Sequence, residues 1–500
     1  MSTNFFKFLL SLLILLSCMP LYAAPSDDPP VQYYGPSLEK PEVQGTQLSP
    51  GQNWQQTLER AGHGTFLLRQ GLYVIKGGSL GLQGITLKPF DGEVVTMVGA
   101  LELESNVTVA GFTLDANDMY RCIHVQGSDK ANPVRDVTIR HMNIYGGKGG
   151  GCVRIEGAVQ DVQVVGNHID GGAGPDGSSG HNFEVKGGCT KTKTYDGTLI
   201  TWTCGPDNIL YERNLTTKMA KYHRLSSAQG LYATWSKDQP FGTKTEDHFQ
   251  LEGSGSVIAR HNVFWNHDTR GEEYIDIKTP KAGAVLRFEE NYLRGRGITQ
   301  EKSCAILQGD HSKSRIIFEH NVFDNCGWQT GKHALHAGGI KVFDRIRLQL
   351  AGNIFRCSQS GGGLVFKDTE AFSMTGNTID GCTIAWGGGN NSSSKKSVEL
   401  IQGNTFHQVS FTRRGEWTIA SCIDNVSDGS NGWFSGSRCE SPKQMALDYQ
   451  SGNYRLEAPY GAKHDVMLAV ARGNWEAFYG AMNQEKKLPA PVGLRVVLQP

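Results

Sequence analysis

The chain has no charge bias: among its 500 residues, Lys plus Arg and Asp plus Glu number 49 each. No overall field therefore recruits nucleic acid or an anionic membrane, and recognition of a charged partner must come from local patches. Proline is sparse, at 18 residues against 62 glycines. No long tract of helical period runs through the sequence. No CxxC or Cys/His spacing suggests zinc. The apolar run at the N-terminus is too short to span a membrane, and no later run replaces it. What remains for a chain of this length is several domains or one elongated repeat, and the composition points to the repeat.

The N-terminus reads as an export signal at 1–23. Lys7 supplies the charged region, Phe8 to Leu16 the apolar stretch, and Leu21-Tyr22-Ala23 a cleavage site before Ala24. Leu15-Leu16-Ser17-Cys18 offers a competing lipoprotein reading. Export, to the periplasm or beyond, permits disulfides among the ten cysteines left after Cys18. Cys189 with Cys204 and Cys422 with Cys439 would each tie off a loop. Cys122, Cys152, Cys304, Cys326, Cys357 and Cys382 lie in strand-like units and could equally be small buried residues. Residues 24–50, rich in Pro, Ser and acids, read as a linker or extended arm. A short helix is expected from Asn53 to Ala61, with strands at Thr65–Leu68, Leu72–Ile75 and Ile85–Lys88.

From about Val107 to Phe406 one theme recurs: an alternating strand, then Asn at a corner, then further strand residues. Asn262, Asn291, Asn321, Asn353, Asn377 and Asn404 follow one another at steps of 29, 30, 32, 24 and 27 residues. Asn143, Asn167 and Asn214 are earlier members, and the doubled steps around Asn214 imply hidden coils or long insertions. Such a period predicts an all-β, right-handed parallel β-helix over 51–460, its strands stacked about 4.8 Å apart. Asparagine tolerates a left-handed corner, and its amide can bond to the asparagines above and below. Helical caps are expected at the N-terminal helix and in 461–500, covering the open edges.

Each coil has another strand upstream of the corner. Stacking these with their apolar residues inward gives an outward column of His124, Gln126, Arg154, Glu156, Glu184, Lys186, Gln250, Glu252, Asp276, Lys278, Gln308, Lys341 and Lys367. Insertions at 187–206 and 218–245 fall beside its middle. Glu252, Glu273 and Asp276 would offer hard oxygen ligands to Ca²⁺. Lys278, beside such an ion and partly desolvated, would have a lowered pKa and act as a base. Arg294, Arg296 and Lys302 follow the next corner and could neutralise an acidic sugar chain. Glu184, Lys186, Gln250, Gln308, Lys341 and Lys367 would line the path of that chain.

An export signal followed by this repeat resembles the secreted pectate-lyase-like superfamily across nearly the whole mature chain. Within it, Glu273 through Lys278-Thr279 resembles the chondroitinase B and alginate lyase family, in which calcium-binding acids precede a strand ending in a catalytic Lys-Ser. The resemblance implies Lys278 as base and Glu273 as a calcium ligand. Leu307-Gln308-Gly309-Asp310-His311 stands where that family carries an Arg-His-Gly segment, with Leu307 and Gln308 replacing the Arg-His pair. Gly271 occupies the place of its second acid.

Three functions are open at this point. The leading one is a lyase that cleaves an anionic, uronate-containing polysaccharide by β-elimination, with Lys278 as base and Arg294, Arg296 or His311 assisting. The second is a glycoside hydrolase or uronate epimerase using paired carboxylates such as Glu252 with Asp276, or Glu184 with Glu252. The third is a non-catalytic glycan-binding protein, with Trp202, Trp235, Trp265, Trp328 and Trp386 as stacking platforms.

Overall fold

The computed structural model describes residues 34–444, apart chiefly from 171–179, 194–199, 219–222, 226–231, 235–246, 267–272, 295–302, 325–334, 338–345, 387–395 and 429–440. Its strands form three long parallel ladders. The first holds 14 strands, from Thr46–Leu48 to Trp417–Ile423. The second passes through His168–Asp170, Leu215–Lys218, Val263–Asn266 and Tyr292–Arg294. The third passes through Ile123–Gly127, Gly150–Gly157, Gly180–Lys186, Phe249–Glu252, Ile275–Lys278 and Ala305–Gln308. Successive strands of one coil fall on different ladders, and each ladder pairs a coil with the next. That is a parallel β-helix, and parallel crossovers of this kind are right-handed.

The corner asparagines hold the coils in step. Asn291, fully buried, donates from Nδ2 to the Ala259 carbonyl (2.8 Å) and to Asn321 Oδ1 (2.9 Å). Its own Oδ1 accepts from the backbone and side chain of Asn262, at 3.0 and 2.9 Å. The same pattern links Asn167, Asn214, Asn262, Asn291, Asn321, Asn353, Asn377, Asn404 and, one coil further, Asn425. Asn143 is not a member: it pairs with His168, and Met142 occupies the corner, its N–H donating to Asn167 Oδ1. Nor do the asparagines take the left-handed conformation. The residue before each does, as with His261 (φ 56°), Glu290 (φ 53°) and His320 (φ 55°). The asparagine supplies the amide, and its neighbour bends the chain.

Asn167 bonds directly to Asn214, and Asn214 to Asn262. The doubled spacing there therefore reflects insertions within single coils. Antiparallel hairpins fill part of both, at Gly188–Lys193 with Ile200–Cys204 and at His223–Leu225 with Tyr232–Thr234. The interior is lined by stacked aromatics such as Phe183 on Phe249 (4.9 Å between centroids) and Phe288 on Phe318 (4.8 Å). A helix at Trp54–Ala61 buries Trp54 and Leu58, with the Trp54 ring edge-on to Tyr73. Residues 445–500, including the expected C-terminal cap, lie outside the described residues. Within the stretch expected as a linker, Thr46–Leu48 joins the first ladder. Ahead of it Glu39 reaches Arg140 (2.9 Å) and His141 (2.7 Å), pinning this segment to later coils.

Cys122–Cys152 and Cys357–Cys382 join neighbouring coils, and Cys189–Cys204 closes the base of the first hairpin. Cys304 and Cys422 are disulfide-bonded as well. These bonds select the first of the two readings open for Cys122, Cys152, Cys304, Cys357 and Cys382. Cys326 and Cys439 lie outside the described residues. Among the described residues, no helix is long and apolar enough to cross a membrane.

Candidate active site

The outward column of the third ladder resolves into parallel columns in register. One runs His124, Arg154, Glu184, Gln250, Asp276 and Ile306, and the next Gln126, Glu156, Lys186, Glu252, Lys278 and Gln308. Alternation explains the layout: Phe183 and Val185, Phe249 and Leu251, and Ile275 and Ile277 fill the core, so the residues between and after them face outward. A further column lies upstream, because Asn182 N bonds to the Asp247 carbonyl and His248 N to that of Glu273. That places His181, Asp247 and Glu273 side by side.

The centre is the lysine–carboxylate group of the middle coils. Lys278 Nζ lies 2.9 Å from Asp276 Oδ2. The Gln250 amide donates to Asp247 Oδ2 (3.0 Å) and, at 3.4 Å, to Asp276 Oδ2. Asp247 in turn lies 3.3 Å from His181 Nδ1, and its Oδ1 accepts from the Glu273 N–H. Asp276 is only 3% exposed and Asp247 2%, which rules out a merely solvated surface ion pair. Burial, and then the charge of Asp247, push the Asp276 carboxyl up to about 7, against the pull of Lys278 and His181. Burial disfavours the Lys278 ammonium, but Asp276, Asp247 and Glu252 together outweigh it and raise its pKa. Its expected depression is therefore reversed. Lys278 holds its proton at neutral pH, and Asp276 is the group poised near neutrality.

Charge alternates along the face toward the N-terminus. Lys186 bridges Glu184 (3.5 Å) and Glu252 (3.6 Å), and Arg154 bridges Glu184 (3.1 Å) and Glu156 (2.9 Å). His124 lies between Glu156 (3.4 Å) and Glu102 (3.1 Å). Past Lys278 the column of Asp276 continues as Ile306 and His336.

The remaining expected residues are placed as follows. Arg294 ends a strand of the second ladder, its guanidinium 4.4 Å above the Trp265 ring and its carbonyl accepting from Tyr274 Oη. Tyr274 precedes Ile275, so Arg294 stands at the opposite end of the strand from Lys278, about 13 Å away along it. His311 opens a strand of the first ladder, paired with Ile346. The strand stacked after Ala305–Gln308 is Leu335–Ala337 and not Ile340–Val342, with Leu335 paired to Ala305 and Ala337 to Leu307. Arg296, Lys302, Lys341 and Lys367 lie outside the described residues. His181 and Asp247 are absent from the column expected from the sequence because they stand two residues ahead of Phe183 and Phe249, where the inward–outward alternation that marks that column starts.

The three acids expected to bind Ca²⁺ do not fit one ion. Asp276 is held by Lys278 and Glu252 by Lys186, while Glu273 stands in the column at the far end of the strand. Calcium takes oxygens at about 2.3–2.6 Å, which demands that its ligands converge. Among the described residues no group of three or more His, Cys, Asp or Glu is disposed to hold a metal ion.

These features define a parallel β-helix protein with a buried, charge-paired polar face on one ladder. No family model matches the sequence, and no curated protein matches it. Among solved structures, the chain is similar to the alginate lyase AlyF-OU02 in complex with G6. Identity is 11% and the TM-score 0.44, over 84% of this chain and 93% of that one. It is also similar to the surface adhesin PfbA of Streptococcus pneumoniae, at 10% identity and TM-score 0.33, over 73% and 85% of the two chains. The A-module of a mannuronan C-5 epimerase from Azotobacter vinelandii gives 14% identity and TM-score 0.27, over 73% and 93%.

Proposed function

We propose that this face binds an acidic, uronate-containing polysaccharide and cleaves it by β-elimination. The observation that supports the reading is the pair at its centre: an ammonium, Lys278, whose side chain is 37% exposed, held by a buried carboxylate that titrates near neutrality. β-Elimination needs a cation on the uronate carboxylate, which acidifies the neighbouring C–H, and a base for that proton. Lys278 supplies the cation. As the substrate carboxylate takes over the ammonium, Asp276 is left with raised proton affinity and accepts the C5 proton. The C5–H electrons become the C4–C5 double bond, the C4–O bond breaks, and the leaving oxygen takes a proton from His181 or solvent. No step is assigned to calcium. The disulfides fit an exported protein meeting its polymer in an oxidising compartment.

Incubation of the purified protein with alginate, chondroitin, pectate and glucuronan, followed by ultraviolet absorbance, tests this directly. An unsaturated product is expected from one of them, and none from any would sink the reading. Lys278→Ala and Asp276→Asn are each expected to slow turnover by about 100-fold or more while leaving the circular dichroism unchanged.

One observation favours a second reading. Asp247 and Asp276 are close enough to share the Gln250 amide, and a buried carboxylate pair with one raised pKa is also the equipment of glycoside hydrolysis. Reducing ends appearing without ultraviolet absorbance would select it.

A further inference from the structure

The columns ahead of the core strands of the third ladder continue toward the N-terminus, beyond the reach of the central pair. Gly150 pairs with Gly180, and Gly151 with His181. One coil earlier Cys122 is bonded to Cys152, with 4.7 Å between their Cα atoms. Arg121 and Tyr120, the residues just before Cys122, therefore head the columns of Gly151 and Gly150. Gly150 has a φ of 61°, and a Cβ there would come to 3.0 Å from Tyr120 Cε1. Any larger residue would be strained and would push the tyrosine off the next coil. From the strand that Arg121 precedes to the strand of Lys278 there are four coil spacings, about 19 Å.

Tyr120 is 55% exposed although it borders a buried polar face. The Arg121 guanidinium lies over its ring, 5.4 Å from the centroid. Arg121 itself is short of acceptors. Its Nη1 contacts the His124 ring at 2.8 Å. Its Nη2 is 3.7 Å from Glu156 Oε2, beyond a hydrogen bond, and its Nε is buried with no partner among the described residues. The nearby carboxylates are held by other groups. Arg154 (2.9 Å) and His124 (3.4 Å) hold Glu156, Arg154 (3.1 Å) and Lys186 (3.5 Å) hold Glu184, and His124 (3.1 Å) holds Glu102. Burial, and then the charge of Arg154, lower the Arg121 pKa, so an incoming anion would relieve a charge that is incompletely balanced. An exposed ring beside a guanidinium with unused donors is matched to a sugar with C–H groups on its ring face and a carboxylate on its edge.

We infer that Tyr120 and Arg121 form a remote subsite for the acidic polysaccharide, on the N-terminal side of the Lys278–Asp276 pair. The guanidinium takes a carboxylate through Nη2, and the tyrosine takes a ring face. The inference rests on the proposed substrate class and deepens it: only a chain long enough to cover the four coil spacings engages both places, so affinity depends on length.

The test measures binding apart from cleavage, using Asp276→Asn as the background. Its ligands are a length series of oligosaccharides from whichever of alginate, chondroitin, pectate and glucuronan it binds. Affinity is expected to step up once the oligosaccharide spans the interval. For those long chains Arg121→Gln and Tyr120→Ala should each weaken binding by about tenfold or more, and Tyr120→Phe should bind like its parent. With the carboxyl-reduced long chains, Tyr120→Ala should still weaken binding and Arg121→Gln should not. In the otherwise wild-type enzyme, both changes should raise KM for long chains more than for short ones. If both variants, with unchanged melting temperatures, bind long acidic chains as tightly as their parent, the subsite is overturned while the lyase reading stands. If they weaken short and long chains equally, the loss is not at a remote subsite and the inference falls too. If the wild type neither cleaves nor binds any acidic polymer, both fall.

Discussion

Removing one rung of the asparagine ladder should cost far more than an alanine substitution usually does. Asn291→Ala deletes the two bonds from its Nδ2, to the Ala259 carbonyl and Asn321 Oδ1, and the two that its Oδ1 accepts from Asn262. All these groups are shut away from water, since Asn262, Asn291 and Asn321 are each 0% exposed. Each lost bond is worth about 1 kcal/mol net, and leaving the Asn262 N–H and Ala259 carbonyl unpaired adds about 1–3 kcal/mol apiece. Allowing for partial relaxation, the expected loss is about 4–6 kcal/mol. Equilibrium urea unfolding by far-ultraviolet circular dichroism measures it. Asn132→Ala is the control, because Asn132 is exposed and its amide bonds only to Asp129. It should move stability by about 0.5 kcal/mol or less. An Asn291→Ala loss below about 1 kcal/mol, with an unchanged m-value, would show that the buried amide chain does not hold the coils in step.

Other outcomes follow from the titrating groups. Turnover should climb as pH rises through about 7, because Asp276 must be ionised to accept a proton, and Asp276→Asn should flatten that limb. The same shift has a stability consequence. The folded pKa of Asp276, about 7, lies above its ordinary 3.8, so its contribution is full below that lower value and is lost as pH rises through the upper one. The stability of Asp276→Asn relative to wild type should therefore improve over that window in pH-dependent denaturation. Glu156 behaves oppositely. Burial opposes its charge, but His124, Arg154 and Arg121 hold its pKa down to about 2 from 4.5. Its contribution is present above the ordinary value and lost as pH falls through about 2, so Glu156→Gln should destabilise at neutral pH and not near pH 2.

The architecture was legible because the buried asparagine recurs at a nearly constant step and only that amide completes the ladder. Asn143 misled because it lies one residue past the corner that Met142 fills. The site was legible in two of its columns, where period-2 alternation marks Asp276 and Lys278 against Ile275 and Ile277. It was not legible upstream. Asn182, His248 and Tyr274 are each buried next to a buried Phe183, Phe249 or Ile275, so the alternation changes phase there and His181 and Asp247 look like loop residues. The protonation of Lys278 was hidden for a different reason: burial opposes its charge, and only the close contact with Asp276, helped by Asp247 and Glu252 on the preceding coil, outweighs that burial.

The stacking of the coils also sets a scale. Along the third ladder, Glu156, Lys186, Glu252 and Lys278 succeed one another at a spacing of about 4.8 Å that the backbone hydrogen bonds fix. Side chains can lean, but the marks of this ruler cannot move. Because the charge alternates, the same sign returns only at every second coil, about 9.6 Å on, so a polymer whose repeat matches that doubled interval meets the same charge at each repeat, while one with a longer or shorter repeat drifts out of phase within a few units. Selectivity among acidic polymers can thus be written into the pitch of the scaffold, before any single contact is made.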